Sequence, residues 1–132
     1  MDHGGDEVML ARWLSNKTVE TVRRWIGESH VFVTEEAGRI LGVAAMNGAG
    51  TITLNYVSPD ARFRGVSKAL VRRLERQARA LGLAECRLES TKTALRFYQA
   101  LGYVTTGTIE VLPLTGTEVS VLSKRLRSDI YS

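Results

Sequence analysis

Residues 51–67 read Thr-Ile-Thr-Leu-Asn-Tyr-Val-Ser-Pro-Asp-Ala-Arg-Phe-Arg-Gly-Val-Ser, and their reading decides the fold. Ile52, Leu54 and Tyr56 alternate with Thr51, Thr53 and Asn55, the two-residue period of a strand. Pro59 has no N–H to give to a ladder, so the strand closes near Val57 or Ser58. Beyond the loop, Val66, Ala69, Leu70, Leu74, Ala78 and Leu81 recur at helical spacing. Arg72, Arg73, Arg76 and Arg79 fall outside that stripe, and Gly82 ends the helix.

A strand, a glycine loop and a helix start in this order suit an anion. The first amides of a helix lack partners, and its dipole places positive charge there, which favours a phosphate or pyrophosphate. Arg62, Arg64 and Lys68 strengthen that reading, and Gly65 lets the backbone approach a ligand where a Cβ would intrude. Taken alone, the loop reads more readily as a plain strand-to-helix turn.

Upstream, Val31 and Val33 alternate with Phe32 over residues 30–34, and Glu35-Glu36-Ala37-Gly38 reads as a turn. Residues 39–47 supply Ile40, Leu41, Val43 and Ala45, a mostly buried strand, and Asn47-Gly48-Ala49-Gly50 turns into Thr51. The expectation is an antiparallel meander of three strands with the loop at the end of the third. The first 29 residues begin without strand character, and Val8, Met9, Leu10, Trp13, Leu14, Val19, Val22, Trp25 and Ile26 suggest one or two amphipathic helices, broken near Ser15-Asn16.

Downstream, Glu85–Ser90 reads as a strand, and Thr91-Lys92-Thr93 can cap a second helix over residues 93–101. That helix carries Ala94, Phe97, Tyr98 and Leu101 on one side, with Gly102 after its end. Alternation resumes at Thr108-Ile109-Glu110-Val111, Thr115-Gly116 makes a turn, and residues 118–126 form a last strand.

Composition bounds the function. A chain of 132 residues reads as one domain, 1–132, with a core over 31–126. There is no apolar run of membrane-spanning length and no secretory signature. The lone Cys86 allows no intramolecular disulfide and fits a reducing, cytoplasmic setting. Inside a strand, Cys86 reads as a small buried residue rather than a nucleophile. His3 and His30 are too few and too far apart for a metal cluster, so no metal is expected. The 18 basic and 14 acidic residues give a formal charge of +4. That excess raises nucleic-acid binding, but no nucleic-acid module appears, and a polyphosphate cofactor accounts for part of it.

With both segments in view, the chain resembles the GNAT superfamily of N-acetyltransferases over about residues 31–126. Arg62-Phe63-Arg64-Gly65-Val66-Ser67 matches the family's pattern at Arg62 and Gly65, with Ser67 where the family has Gly or Ala. Ala94-Leu95-Arg96-Phe97-Tyr98, ending in Leu101-Gly102-Tyr103, supplies the second motif. The resemblance implies an α+β fold: a mixed, mainly antiparallel sheet with helices on both faces. The strands before the two motif helices run parallel and splay apart to admit acetyl-CoA. It further implies that Arg62, Phe63, Arg64, Gly65, Val66, Ser67 and Lys68 hold the pyrophosphate. Tyr56 and Val57 would pair with the pantetheine arm, and the Val57 N–H would polarise the thioester carbonyl. Thr91 stands where the family often has a cofactor-contacting asparagine. Tyr98 matches the general acid that protonates the leaving thiolate, and the acceptor would be a primary amine of a small molecule or peptide. Glu89 is the candidate base, acting through water, with Glu110 behind it; Asn55 and Thr53 bind water without being bases. The pocket for the acceptor is expected before residue 30 and near Leu112-Pro113-Leu114.

The family usually opens with an edge strand that is not evident here. The bared edge would favour a homodimer, and loss of the substrate pocket would instead leave an acyl-CoA-binding regulator.

Overall fold

A computed structural model of the protein describes residues 18–28, 30–62, 64–111 and 118–126. Helix α1 is Val19–Ile26, capped by Thr18, whose Oγ1 accepts from the Thr21 N–H at 3.2 Å. Strands β1 (His30–Glu36), β2 (Arg39–Met46) and β3 (Ile52–Val57) form the expected antiparallel meander. A 3₁₀ turn over Pro59–Ala61 leads to helix α2, Val66–Ala80. Strand β4 (Glu85–Ser90), helix α3 (Lys92–Ala100), β5 (Val104–Val111) and β6 (Glu118–Arg125) complete the chain. The β1–β2 turn is tighter than expected: the strand runs on to Glu36, and Ala37 and Gly38 alone take positive φ. The expected helices before residue 18, the break at Ser15-Asn16, Phe63, the Leu112-Pro113-Leu114 loop and the Thr115-Gly116 turn lie outside the described residues.

The central sheet is two sheets of three strands, ordered β1-β2-β3 and β4-β6-β5, and antiparallel within each. They join at their base, where Thr51 and Arg87 form a parallel bridge and the Arg87 N–H donates to the Gly50 carbonyl at 3.0 Å. Above that bridge β3 and β4 run side by side in the same direction without a ladder between them. This is the parting of the sheet that the resemblance implies.

Helices cover both faces. On one, Val22 of α1 packs with Ile40, Val43 and Tyr56. On the other, Val66, Leu70, Val71, Leu74 and Ala78 of α2 share a larger core with Met46, Ile52, Cys86, Leu88, Tyr98 and Tyr103. β4 shows why the pattern was legible: Cys86, Leu88 and Ser90 are buried while Glu85, Arg87 and Glu89 are exposed. Two irregularities interrupt the ladders: Leu41 of β2 is the extra residue opposite Thr34 and Glu35, and Thr53 of β3 is the extra residue opposite Ala45 and Met46.

Candidate functional site

The site is built around the start of α2. Gly65 precedes the helix with φ 77°, a left-handed conformation that a residue with a side chain adopts at a cost. A Cβ placed there would meet nothing within 4 Å, so the glycine answers to the turn and fronts open space. The first helical hydrogen bond runs from the Ala69 N–H to the Gly65 carbonyl at 3.0 Å. The N–H groups of Val66, Ser67 and Lys68 therefore have no acceptor in the helix, and Gly65 provides no side-chain cap. No acidic residue sits in the first turn. Three amides on the positive end of a 15-residue helix, before open space, fit a pyrophosphate.

The arginines of the loop are partly engaged. Arg64 Nη2 lies 2.8 Å from Glu36 Oε2, and Arg39 Nη2 lies 2.6 Å from Asp60 Oδ2. These exposed pairs tie the β1–β2 hairpin to the loop, and exposed pairs of this kind contribute about 0–1 kcal/mol each. Arg62 and Lys68 are exposed.

A second glycine decides how close α2 comes. At Gly42 in β2 a Cβ would sit 2.8 Å from Val66 Cγ1 and 2.9 Å from both Leu70 Cδ1 and the Tyr56 carbonyl oxygen. The strand thus receives the first turn of α2 against its backbone. Sequence reasoning missed Gly42, although a lone glycine inside a buried strand is the usual sign of such an approach.

The edge of β3 that faces β4 follows from parity. Ser58 N–H donates to the Leu41 carbonyl at 2.7 Å, so Ser58 faces β2. Successive residues of a strand turn their backbone groups to opposite edges, and the pairing from Asn55 to Val57 is regular. The groups of Val57 and Asn55 therefore point toward β4, and those of Tyr56 toward β2. Of the two residues expected to pair with a ligand, Val57 presents its backbone groups to that edge and Tyr56 does not. The Tyr56 side chain is buried on the α1 face.

Tyr98 is 2 % exposed, with its ring edge-on to Phe97 and Tyr103 at centroid distances of 5.0 and 5.9 Å. Its ring belongs to the core, but its oxygen does not end there: Asn55 Nδ2 donates to Tyr98 Oη at 3.1 Å. Burial pushes the phenol above its ordinary value, and the Asn55 hydrogen bond opposes that rise. Thr53 Oγ1, Asn55 Oδ1 and Thr91 Oγ1 are buried without a partner among the described residues. Thr91 caps α3 by position without using its hydroxyl as the cap. Buried orphans are rare in folded proteins; here Thr53 and Asn55 belong to β3 and Thr91 follows β4, the two strands that part.

Glu89 is exposed on the face of β4 opposite the core that holds Tyr98, so the two side chains are not brought together. The Glu110 side chain lies outside the described residues. Cys86 is fully buried, and burial, with Glu75 nearby, pushes its thiol up to about 11. Among the described residues no group of three or more His, Cys, Asp or Glu could hold a metal ion, and no helix is long and apolar enough to cross a membrane.

Comparison with known proteins supplies the family. No curated protein sequence matches the chain. Among solved structures, a GCN5-related N-acetyltransferase from Rhodopseudomonas palustris aligns with TM-score 0.71 at 24% identity, over 80% of this chain and 66% of its own. Ard1 from Thermoplasma volcanium aligns with TM-score 0.72 at 18% identity, over 97% of each chain. The ribosomal-protein-S18-alanine N-acetyltransferase from Escherichia coli aligns with TM-score 0.70 at 18% identity, over 95% of this chain and 90% of its own. These likenesses are of fold. Residues 2–111 match the acetyltransferase (GNAT) domain, and the chain belongs to that family of acetyltransferases.

Proposed function

We propose that the protein moves an acetyl group from acetyl-CoA to a primary amine of a small molecule or peptide by direct attack, with Tyr98 as general acid. The observation that carries this reading is the parting of β3 from β4 above the Thr51–Arg87 bridge, with the Tyr98 hydroxyl held beside it by Asn55. Acetyl-CoA supplies the activated acyl group. The Val66, Ser67 and Lys68 amides would hold its pyrophosphate, with Arg62, Phe63, Arg64 and Gly65 in the same loop. The free edge of β3 would take its pantetheine arm, and Thr91 has a hydroxyl to offer it.

The Val57 N–H, directed at the opening, is the donor for the oxygen on which charge develops in the tetrahedral transition state. Removing such a donor costs about two to three orders of magnitude in rate. Tyr98 meets the departing sulfur. At reference values a phenol is about 1.5 units less acidic than a thiol, which makes full proton transfer uphill by about 2 kcal/mol. Burial makes it more so, and hydrogen bonding to the sulfur is the larger part of the phenol's work. The amine approaches from the Glu89 face, opposite the phenol, and gives its proton to water or to Glu89. An α-amine is about a tenth neutral at pH 7, whereas a lysine-like amine is about one part in a few thousand neutral, so the latter needs the base more.

Two measurements test the reading. Calorimetry with acetyl-CoA is expected to show micromolar binding, and its absence would remove the acyl-transfer reading. Thiol release is then followed with a panel holding an aminoglycoside, a diamine and a peptide with an N-terminal alanine. Tyr98→Phe is expected to lower turnover with the best acceptor by about 100-fold or more, with acetyl-CoA affinity nearly unchanged. Binding without release to any amine would favour the regulatory reading.

A further inference from the structure

We infer that Asn55 is a positioning residue for the Tyr98 phenol: its amide donates to Tyr98 Oη from β3 and aims the phenol's own proton into the opening between β3 and β4. The inference rests on the reading of Tyr98 as the acid.

A phenol oxygen carries one hydrogen, which prefers the plane of the ring and so has two settings. Asn55 Nδ2, 3.1 Å away, brings a hydrogen to one side of that oxygen. The phenol's hydrogen is excluded from that side and turns to the other. Without the amide both settings are open, and a proton needed at the sulfur spends part of its time pointing away. The same N–H stabilises the negative oxygen left after proton donation, in a place where burial disfavours it.

Asn55 is a poor choice for packing alone. Asparagine is depleted in strands, and this one sits between Leu54 and Tyr56 in the middle of β3. Its Oδ1 is buried without a partner among the described residues, a cost an apolar side chain would avoid. It bridges 43 residues of sequence to reach the phenol.

A double-mutant cycle tests this, with turnover read as thiol release to the best amine of the panel. Asn55→Leu is expected to lower kcat about 10-fold or more while acetyl-CoA affinity stays within about 3-fold. In the Tyr98→Phe background the same change is expected to alter kcat by less than about 2-fold, because the residue acts through the phenol. Asn55→Asp replaces the donor by an acceptor and draws the phenol's proton away from the opening, so its kcat is expected to fall at least as far. A structural role predicts the reverse, since an aspartate satisfies the buried hydroxyl equally well. Multiplicative losses in the cycle, or full turnover in Asn55→Asp, would overturn the inference and leave the acid standing. Full turnover in Tyr98→Phe would overturn both. As a check independent of turnover, protein with ¹³Cζ-labelled tyrosine has its Tyr98 line identified by its loss in Tyr98→Phe. That line is expected to move in Asn55→Asp, and an unmoved line would mean the contact is absent.

Discussion

Tyr98 and Cys86 share one core, and burial acts on both by raising the cost of the charged form. For the acid proposed at Tyr98, which must stay protonated, this is useful. The basic limb of turnover, where Tyr98 ionises, is expected above the ordinary phenol value of about 10, and a pH profile measured to that limb checks it. For the thiol it means silence. With a pKa of about 11, roughly one Cys86 in a thousand is thiolate at pH 8. Alkylation by iodoacetamide at pH 8 is expected to be at least about 100-fold slower in the folded protein than in urea; equal rates by mass spectrometry would contradict the burial. The role of Cys86 was legible in the sequence because alternation along one short strand fixes which side chains face inward. The contact between Asn55 and Tyr98 was not, because nothing local encodes a meeting of residues so far apart in the chain.

At the scale of elements, the strand–loop–helix order and both helix ends were legible, since proline, glycine and apolar spacing are local signals. The depth at which α2 seats was not. It depends on Gly42, whose missing side chain matters only because Val66, Leu70 and the Tyr56 carbonyl crowd it from three sides. Gly42→Ala is expected to cost about 1–3 kcal/mol in urea denaturation, since a methyl group has no room and one of its neighbours is backbone. The same change should weaken acetyl-CoA binding by calorimetry, because what moves is the first turn of α2. Wild-type stability with wild-type affinity would show that the helix is free to shift. The bulges at Leu41 of β2 and Thr53 of β3 were equally hidden: they alter which residues share a face, and a strict two-residue reading of a strand has no means of seeing them.

The molecule as a whole is two small sheets clasped by one helix. α2 lies on β1, β2 and β3, shares its apolar core with Cys86, Leu88 and Leu122 of the second sheet, and adds a polar tie through Glu75, which is 4 % exposed. Its carboxylate accepts from Tyr103 Oη at 2.8 Å and from Lys124 Nζ at 3.0 Å, so α2, β6 and the turn after α3 are held by one buried charge. Read from the sequence, Glu75 is one more charged residue of an amphipathic helix; its partners lie 28 and 49 residues further along the chain, in the turn after α3 and in β6. The base of the parting has its own constraint. Gly50 has φ 89°, and a Cβ there would lie 2.8 Å from the Glu85 carbonyl oxygen, which is backbone and cannot swing aside. Gly50→Ala is therefore expected to spread β3 and β4 where they join. A measurable fall in acetyl-CoA affinity and turnover should follow, although no ligand would touch residue 50; wild-type kinetics would refute it.

The Thr51–Arg87 bridge makes that remote effect large. It is a fulcrum, and β3 is the arm that turns on it. From Thr51 to Val57 the arm is about 20 Å long at the usual rise of a strand, so tilting it by about 5° carries the Val57 amide through roughly 1.7 Å. Misplacement of a reacting group by about 1 Å is enough to cost on the order of 100-fold in rate. Leverage of this kind makes the narrow end of the wedge, far from any chemistry, the place where reaction geometry is tuned.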